Sequence, residues 1–171
     1  SYAEYTQGDD GPLAYVTRIE RYDPRDALRL DPAARRSLEL FETRGAGEGP
    51  ALFDVLDGTV SALGRRRLAA WLRRPLVDGG RIERRLDAVG TLAGAGVVRD
   101  RLHERLREVY DLERLAGRVS RGRANARDLR SLAASLAVVP DLRAALDDVA
   151  GDCDRLADLR DRLDPLADTR D

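Results

Sequence analysis

Apolar residues, mainly leucine, valine and alanine, recur at steps of three and four along most of this chain, from about Leu52 onward. This spacing gathers the apolar side chains on one face of an α-helix. The stripes are separated by prolines and glycines, which end helices. The pattern predicts a mainly α fold, a bundle of antiparallel helices. The stripes are Leu63, Leu68, Trp71, Leu72; Ile82, Leu86, Val89, Leu92; Leu102, Leu106, Val109, Leu112; Leu129, Leu132, Leu136, Val139; and Leu142, Leu146, Val149, Cys153, Leu156, Leu163.

Capping and breaking residues predict several helix boundaries. Asp31 followed by Pro32 is typical of a helix start, and the helix it opens should run to about residue 41. Pro75 should end one helix, and Asp78 can cap the next. Gly94 and Gly96 should end that helix.

The N-terminal part carries a different pattern. Residues 13–19 and 26–31 alternate between apolar and polar positions, and the Asp-Pro pair at 23–24 supplies a turn between them. This predicts a small N-terminal β-hairpin. The glycine-rich segment 44–50 is interpreted as a solvated linker, because no Gly-Lys-Ser/Thr follows it as in a phosphate-binding loop.

Composition supports a helical core and excludes several classes of protein. Hydrophobic residues make up 43% of the 171, but aromatics only 5%, so leucine, valine and alanine must fill the core. No window approaches the roughly 18 apolar residues of a membrane span, and no signal peptide is recognisable. These features predict an intracellular, cytoplasmic chain. Cys153 is expected to be a small buried hydrophobe, and His103 to lie at a helix surface rather than ligate a metal.

The charge is balanced overall but segregated along the chain. All 30 positive residues are arginine, and the formal net charge is −1. Residues 1–60 carry 7 arginines and 12 acids, residues 61–140 carry 18 and 9, and residues 141–171 carry 5 and 10. A basic middle between acidic ends can contact phosphate, or can pair internally with those ends.

The densest basic run extends from Arg118 to Arg130, where five arginines accompany a single acid, Asp128. Asn125 is a predicted N-cap, and Asp128 three residues later complements the positive end of the helix dipole. Gly117 or Gly122 can end the preceding helix. The run is therefore predicted to be a helix elbow, with a phosphate-contacting loop as the alternative. Candidate interdomain or phosphate contacts are Arg118, Arg121, Arg123, Arg127, Arg65 and Arg66.

No catalytic constellation is recognisable. The chain has no HExxH or CxxC motif, and no Ser/His/Asp set in a supporting context. Trp71 lies on an apolar stripe, so it is expected in the core rather than on a base-stacking surface. We therefore expect no catalytic, metal or cofactor site in this chain.

Four runs stand out along the chain: LDPAARRSLELF (30–41), LFDVLDGTVSALGRRRLAAWLRRPL (52–76), IERRLDAV (82–89) and VYDLERLAGRVSRGRANARDL (109–129). In this order they resemble the core (lever) domain of MutS-type DNA mismatch-repair proteins. Arg123, Asn125, Arg127 and Asp128 match the family pattern. Several positions depart from it, including Ala34, Ser37 and Gly90, and Ala126 stands where proline is usual.

The resemblance implies a role within a larger protein. MutS-like proteins are dimers that recognise mismatched double-stranded DNA and bind and hydrolyse ATP with Mg²⁺. The Phe-x-Glu reader and the Walker A loop of the family do not occur in this sequence. Residues 1–7 would then be the trailing end of a connector domain. Residues 8–171 would be the N-terminal part of the core domain, ending before the clamp insertion.

The implied function is mechanical. A packed helical lever would couple a DNA clamp to an ATPase domain, with connector, clamp and ATPase domains as neighbours in a nucleoid-associated homodimer. The alternative is a helical non-specific DNA-binding or protein-interaction module that uses residues 61–130.

Overall fold

A computed structural model describes residues 27–43, 45 and 49–164 of the chain. These residues contain no β-strand and are mainly helical, which confirms the predicted α class. The helices are α1 (Pro32–Ser37), α2 (Leu52–Leu56), α3 (Ala62–Arg73), α4 (Gly79–Gly94), α5 (Gly96–Arg107), α6 (Leu112–Ser120), α7 (Ala126–Ala137), α8 (Val139–Ala150) and α9 (Asp154–Arg162).

The predicted hairpin is not supported. Its first strand, residues 13–19, and its turn lie outside the described residues. The second run is described from Ala27, which forms an isolated antiparallel bridge with Leu76. Most of the 44–50 linker also lies outside the described residues.

Side-chain caps begin several helices. Asp31 accepts a hydrogen bond from the Ala34 N–H at 2.7 Å, and Asp78 accepts one from the Arg81 N–H at 2.7 Å. The first helix ends at Ser37, earlier than residue 41, because Glu39 adopts a positive φ of 49° that a right-handed helix cannot contain.

The main core lies between α4, α5, α8 and α9. Helices α5 and α8 are antiparallel. The earlier arginine of α5, Arg101, pairs with the later aspartate of α8, Asp148, whereas Arg105 pairs with Asp141. Helices α8 and α9 are also antiparallel, because Arg160 contacts Asp147 while Arg143 reaches the Leu163 carbonyl. The buried members of this core are Ala88, Leu146, Val149, Cys153 and Leu156.

A second, smaller apolar group lies near the N-terminal end of the described chain. The rings of Phe41 and Phe53 are 5.5 Å apart, and Leu40, Ala51 and Ala69 are buried. The guanidiniums of Arg73 and Arg65 cover the two rings, at 4.5 Å from Phe41 and 4.8 Å from Phe53. Helix α3 therefore joins this group through both apolar and cation–π contacts.

The apolar stripes were predicted with unequal success. From Leu142 to Leu156, every stripe member is buried, including Cys153, so that prediction is confirmed. The stripe of α4 is wrong at Leu86 and Val89, which are 62% and 64% exposed, although its last member, Leu92, packs against the core. Helix α4 instead packs through Ala88, Leu92 and the following Ala95. Its buried face is thus rotated by about one residue position, roughly 100°.

Two further predictions concern Trp71 and His103. Trp71 is 38% exposed rather than part of the core, and the guanidiniums of Arg67 and Arg85 lie over its ring. His103 is half-buried, with its Nε2 3.4 Å from the Gly58 carbonyl oxygen.

Candidate functional site: the arginine-rich elbow

The elbow between α6 and α7 begins with a glycine turn. Gly122 has a φ of +63° and donates its N–H to the Val119 carbonyl at 2.9 Å. The Arg123 N–H bonds to the Arg118 carbonyl, also at 2.9 Å. These two bonds form a Schellman motif, in which a left-handed residue closes the helix. Gly122 therefore ends α6, whereas Gly117 lies inside it.

Helix α7 begins with a capping box. The Asn125 side chain accepts from the Asp128 N–H at 2.9 Å, and the Asp128 carboxylate accepts from the Asn125 N–H at 3.0 Å. Both donors would otherwise lack an intrahelical partner. The carboxylate of Asp128 also lies at the positive end of the helix dipole.

Arg118 holds the two arms of the elbow together. Its Nη2 lies 3.0 Å from the Asp128 carboxylate and 3.2 Å from the Arg123 carbonyl. Its Nε is buried and has no hydrogen-bond partner among the described residues. Because one guanidinium joins α6, the turn and α7, the role of Arg118 in this arrangement is internal.

Arg121, Arg123 and Arg127 are exposed. None of them forms an ion pair with a carboxylate of the described residues. Arg121 folds back over Gly117, where its Nη2 lies 3.1 Å from the position that a Cβ would occupy. These three side chains are available to an outside partner.

Arg66 lies outside the elbow and makes the most extensive ion pair of the described chain. From α3 it donates to both carboxylate oxygens of Asp111 at 2.8 Å, and to Glu113 at 2.9 Å. The two hydrogen bonds from Arg66, followed by the Arg114 N–H, lower the pKa of the Asp111 carboxyl to about 2. The same carboxylates raise the pKa of Arg66. Asp111 is also the N-cap of α6, so this contact ties α3 to the start of α6.

Arg65 is paired as well. It forms an ion pair with Asp57, whose pKa is lowered first by the Thr59 hydroxyl and then by the Thr59 N–H and Arg65. The six candidate arginines therefore do not form a single site. Arg65, Arg66 and Arg118 make internal pairs, whereas Arg121, Arg123 and Arg127 lie together at the elbow surface.

A second group of arginines was not predicted from the sequence. Two of its members, Arg67 and Arg85, lie over the Trp71 ring, and Arg85 also lines a small pocket with the other three. The group combines side chains from three helices, so only the spacing of arginines along α4 could have pointed to it. Its members are Arg67, Arg81, Arg84, Arg85 and Arg155.

The described residues contain no group of three or more His, Cys, Asp or Glu side chains placed to hold a metal ion. Within the same part of the chain, no helix is long and apolar enough to cross a membrane.

Residues 33–170 match the protein family described as MutS domain III. The chain belongs to this family. It is 54% identical over its full length to the DNA mismatch repair protein MutS of Natronomonas pharaonis, of which it covers 21%. It is 58% identical over 86% of its length to MutS 2 of Halobacterium salinarum, and 49% identical over 93% to MutS of Symbiobacterium thermophilum, covering 18% of each. The chain thus spans about a fifth of the length of these MutS relatives.

The capping box gives a direct test of the elbow in this MutS domain III chain. Asn125→Ala removes the side-chain acceptor for the Asp128 N–H, and we expect the free energy of unfolding to fall by about 0.5–2 kcal/mol. Urea denaturation followed by circular dichroism measures the change. The matched control replaces the exposed Arg121 and Arg123 by Ala, which should change stability by less than about 0.5 kcal/mol. A larger loss in the control than in Asn125→Ala would contradict a structural elbow.

Proposed function

We propose that this chain is the lever part of the core domain of a MutS-like mismatch-repair protein, where it couples a DNA clamp to an ATPase domain. Family membership and the MutS relatives support a role in DNA mismatch repair. The single observation that carries the finer proposal is the shared core of α4, α5, α8 and α9. Four helices that bury one core can move as a unit.

The contacts between these helices support their joint movement. Within each helix the backbone hydrogen bonds are satisfied, so the helix keeps its length under load. Between helices, Arg101 and Arg105 lie one turn apart on α5, and each forms an ion pair with α8. Helix α9 pairs with α8 through Arg160 and Asp147. Exposed pairs add little stability, but the apolar core beneath them resists sliding.

Arg66 extends the unit toward the N-terminal helices. Its bidentate contact with Asp111 links α3 to α6, and Arg118 links α6 to α7. A displacement of α3 would therefore be passed to the elbow. We assign to these two arginines the transmission of movement between helices, rather than contact with DNA.

The surrounding protein follows from the same proposal. Residues 1–7 would end a connector domain, and residues 8–171 would form the core domain up to the clamp insertion. The whole protein would be a cytoplasmic, nucleoid-associated homodimer that binds mismatched double-stranded DNA. It would use ATP and Mg²⁺ at a site outside this chain, which itself would catalyse nothing.

The alternative, a non-specific DNA-binding or protein-interaction module using residues 61–130, has less support. Three of its six candidate arginines are engaged by carboxylates of the same chain. The exposed Arg121, Arg123 and Arg127 fit contacts with neighbouring domains equally well.

The lever proposal is tested in the whole protein by measuring the coupling separately from mismatch binding and from basal ATP hydrolysis. Arg66→Gln removes the charge that links α3 to α6. We expect mismatch binding and basal ATP hydrolysis to stay within about twofold, while the change in ATP hydrolysis caused by mismatched DNA falls by about fivefold or more, the range of typical coupling energies.

Arg36→Gln on α1 is the control, because Arg36 is exposed and has no ion pair with a described carboxylate. It should leave the coupling unchanged. Full coupling in Arg66→Gln, with hydrogen exchange showing a loosened start of α6, would exclude the lever role of this contact.

A further inference from the structure

The arginines around Trp71 form a cluster of positive charge without compensation from the described residues. Trp71 and Arg67 come from α3, Arg155 comes from α9, and the rest come from α4. None of the five arginines forms an ion pair with a described carboxylate, unlike Arg66, Arg101 and Arg160 of the same helices and their neighbours. We name this group the Trp71 cluster: Arg67, Arg81, Arg84, Arg85, Arg155 and Trp71.

Four arginines of the Trp71 cluster line one small pocket of about 90 Å³. Among the described residues, its lining consists of Arg81, Arg84, Arg85 and Arg155. The guanidinium of Arg85 lies 4.0 Å from the centre of the Trp71 ring, and that of Arg67 lies 5.6 Å from it. The indole thus positions the Arg85 guanidinium, which lines the pocket, by cation–π contact.

The positive charges of the Trp71 cluster repel one another. The pKa of Arg85 is lowered, first by burial and then by the charges of Arg81, Arg67 and Arg155. Like charges held this closely oppose folding unless an anion joins them. The arrangement is therefore unfavourable for the free chain and favourable for one that holds a negatively charged ligand.

The chemistry of the pocket selects among anions. One carboxylate has two oxygens and can occupy the fork of only one or two guanidiniums. A phosphate group presents more acceptors and more charge in the same volume, and arginine forks match its geometry. The arginines beside the Trp71 ring also hinder the stacking of a nucleic-acid base there. We propose that the Trp71 cluster binds a phosphate group.

The neighbouring surface limits the size of the ligand. Arg84 and Arg155 also border a wider groove of about 610 Å³, which Asp87, Asp152 and Asp154 line as well. These carboxylates would repel a polyanion lying along that groove. The pocket therefore suits one compact phosphate. This is either a free ion or a single phosphate of a DNA backbone that approaches from the side away from these carboxylates.

Binding would offset the repulsion between arginines at the surface of α4 and α9, above the core that these helices share. A phosphate in the pocket would link α4 to α9, and Arg67 would bring α3 into the same electrostatic contact. This inference does not depend on the lever proposal, because phosphate binding is measured on this chain alone and coupling on the whole protein.

Trp71 is the only tryptophan of the chain, so its fluorescence reports on the cluster directly. We expect inorganic phosphate, titrated at constant ionic strength against chloride, to change this fluorescence in a saturable manner. The double variant Arg84→Gln, Arg155→Gln should weaken the response about tenfold or more, because it removes two charge-assisted hydrogen-bonding groups. The control Arg130→Gln, Arg162→Gln removes the same charge from exposed positions of α7 and α9 and should bind like the unchanged chain.

The thermal midpoint gives a second readout. Without phosphate, the Arg84→Gln, Arg155→Gln variant should melt no lower than the unchanged chain, because repulsion is relieved. With phosphate, only the unchanged chain and the control should gain stability. A phosphate response that the double variant retains, or no response beyond that of chloride, would overturn the proposal.

A DNA duplex and an acidic peptide, used at matched total charge, identify the source of the ligand. Binding of both inorganic phosphate and the duplex, each lost in the double variant, supports a backbone phosphate. Binding of inorganic phosphate alone supports a small phosphate ligand. Tighter binding of the acidic peptide than of either phosphate source would show that the cluster is a docking site for carboxylates, and the proposal would be wrong.

Discussion

Leu156→Ala should lower the free energy of unfolding by about 2–5 kcal/mol, the range for large-to-small substitutions in a packed core. Leu156 is only 1% exposed and lies in the core shared by α4, α5, α8 and α9. The substitution removes apolar contacts and leaves a cavity that the surrounding helices cannot fully close. Urea denaturation of the two chains, followed by circular dichroism, measures the difference.

Leu159→Ala is the matched control. It makes the same substitution three residues later on the same helix, where the side chain is 37% exposed. Both variants gain the same helix propensity, so the difference between them reports on burial alone. We expect the control to lose less than half as much stability. Equal losses would mean that α9 does not pack on the face seen here.

The stripe from Leu142 to Leu156 was predicted correctly and the α4 stripe was not, and both results have one physical explanation. Helices α8 and α9, with Cys153 between them, supply four of the five buried members of the main core, so this apolar stripe is the face that the other helices cover. Helix α4 has two overlapping apolar faces, one with Leu86 and Val89 and one with Ala88. Because alanine is small, a neighbouring helix can pack closely against the second face. Periodicity counts Leu86 and Val89 as core residues, whereas close packing favours the alanine face.

Local signals were enough for the cap and turn of the elbow but not for the ion pairs of Arg66 on α3. Asn125, Asp128 and Gly122 act within a few residues of one another, so the cap and the turn follow from the sequence. The partners of Arg66 lie 45 and 47 residues away, at Asp111 and Glu113. No local pattern identifies such a pair, since it depends on how α3 and α6 meet.

The segregation of charge left two possibilities, and the described residues use both. Arg101 and Arg105 of the basic middle pair with Asp148 and Asp141 of the acidic C-terminal part. The Trp71 cluster, by contrast, keeps its charge uncompensated by described carboxylates even though Asp152 and Asp154 lie near Arg155. Net charge per segment could not separate these cases, because pairing depends on the helix face that each arginine occupies.

Ser135→Ala should cost about 1–3 kcal/mol, because it removes the acceptor of the part-buried Tyr110 N–H. Ser135 of α7 is fully buried, and its hydroxyl accepts from the Tyr110 N–H at 2.9 Å. The same hydroxyl donates to the Ser131 carbonyl at 2.9 Å, so its orientation is fixed. The Tyr110 N–H precedes α6 and would have no replacement partner on α7 once the hydroxyl is removed.

Ser131→Ala, one turn earlier on α7, separates this loss from helix propensity. Both substitutions replace serine by the better helix former, so each gains the same few tenths of a kcal/mol. Ser131 offers only its carbonyl to Ser135, and alanine keeps that carbonyl, so the control should be neutral or slightly stabilising. Denaturation midpoints of the two variants measure the difference, and hydrogen exchange of the Tyr110 amide should accelerate only in Ser135→Ala. An unchanged Tyr110 exchange rate in that variant would show that the hydroxyl does not hold α6 to α7, because loss of its acceptor must expose this amide to water.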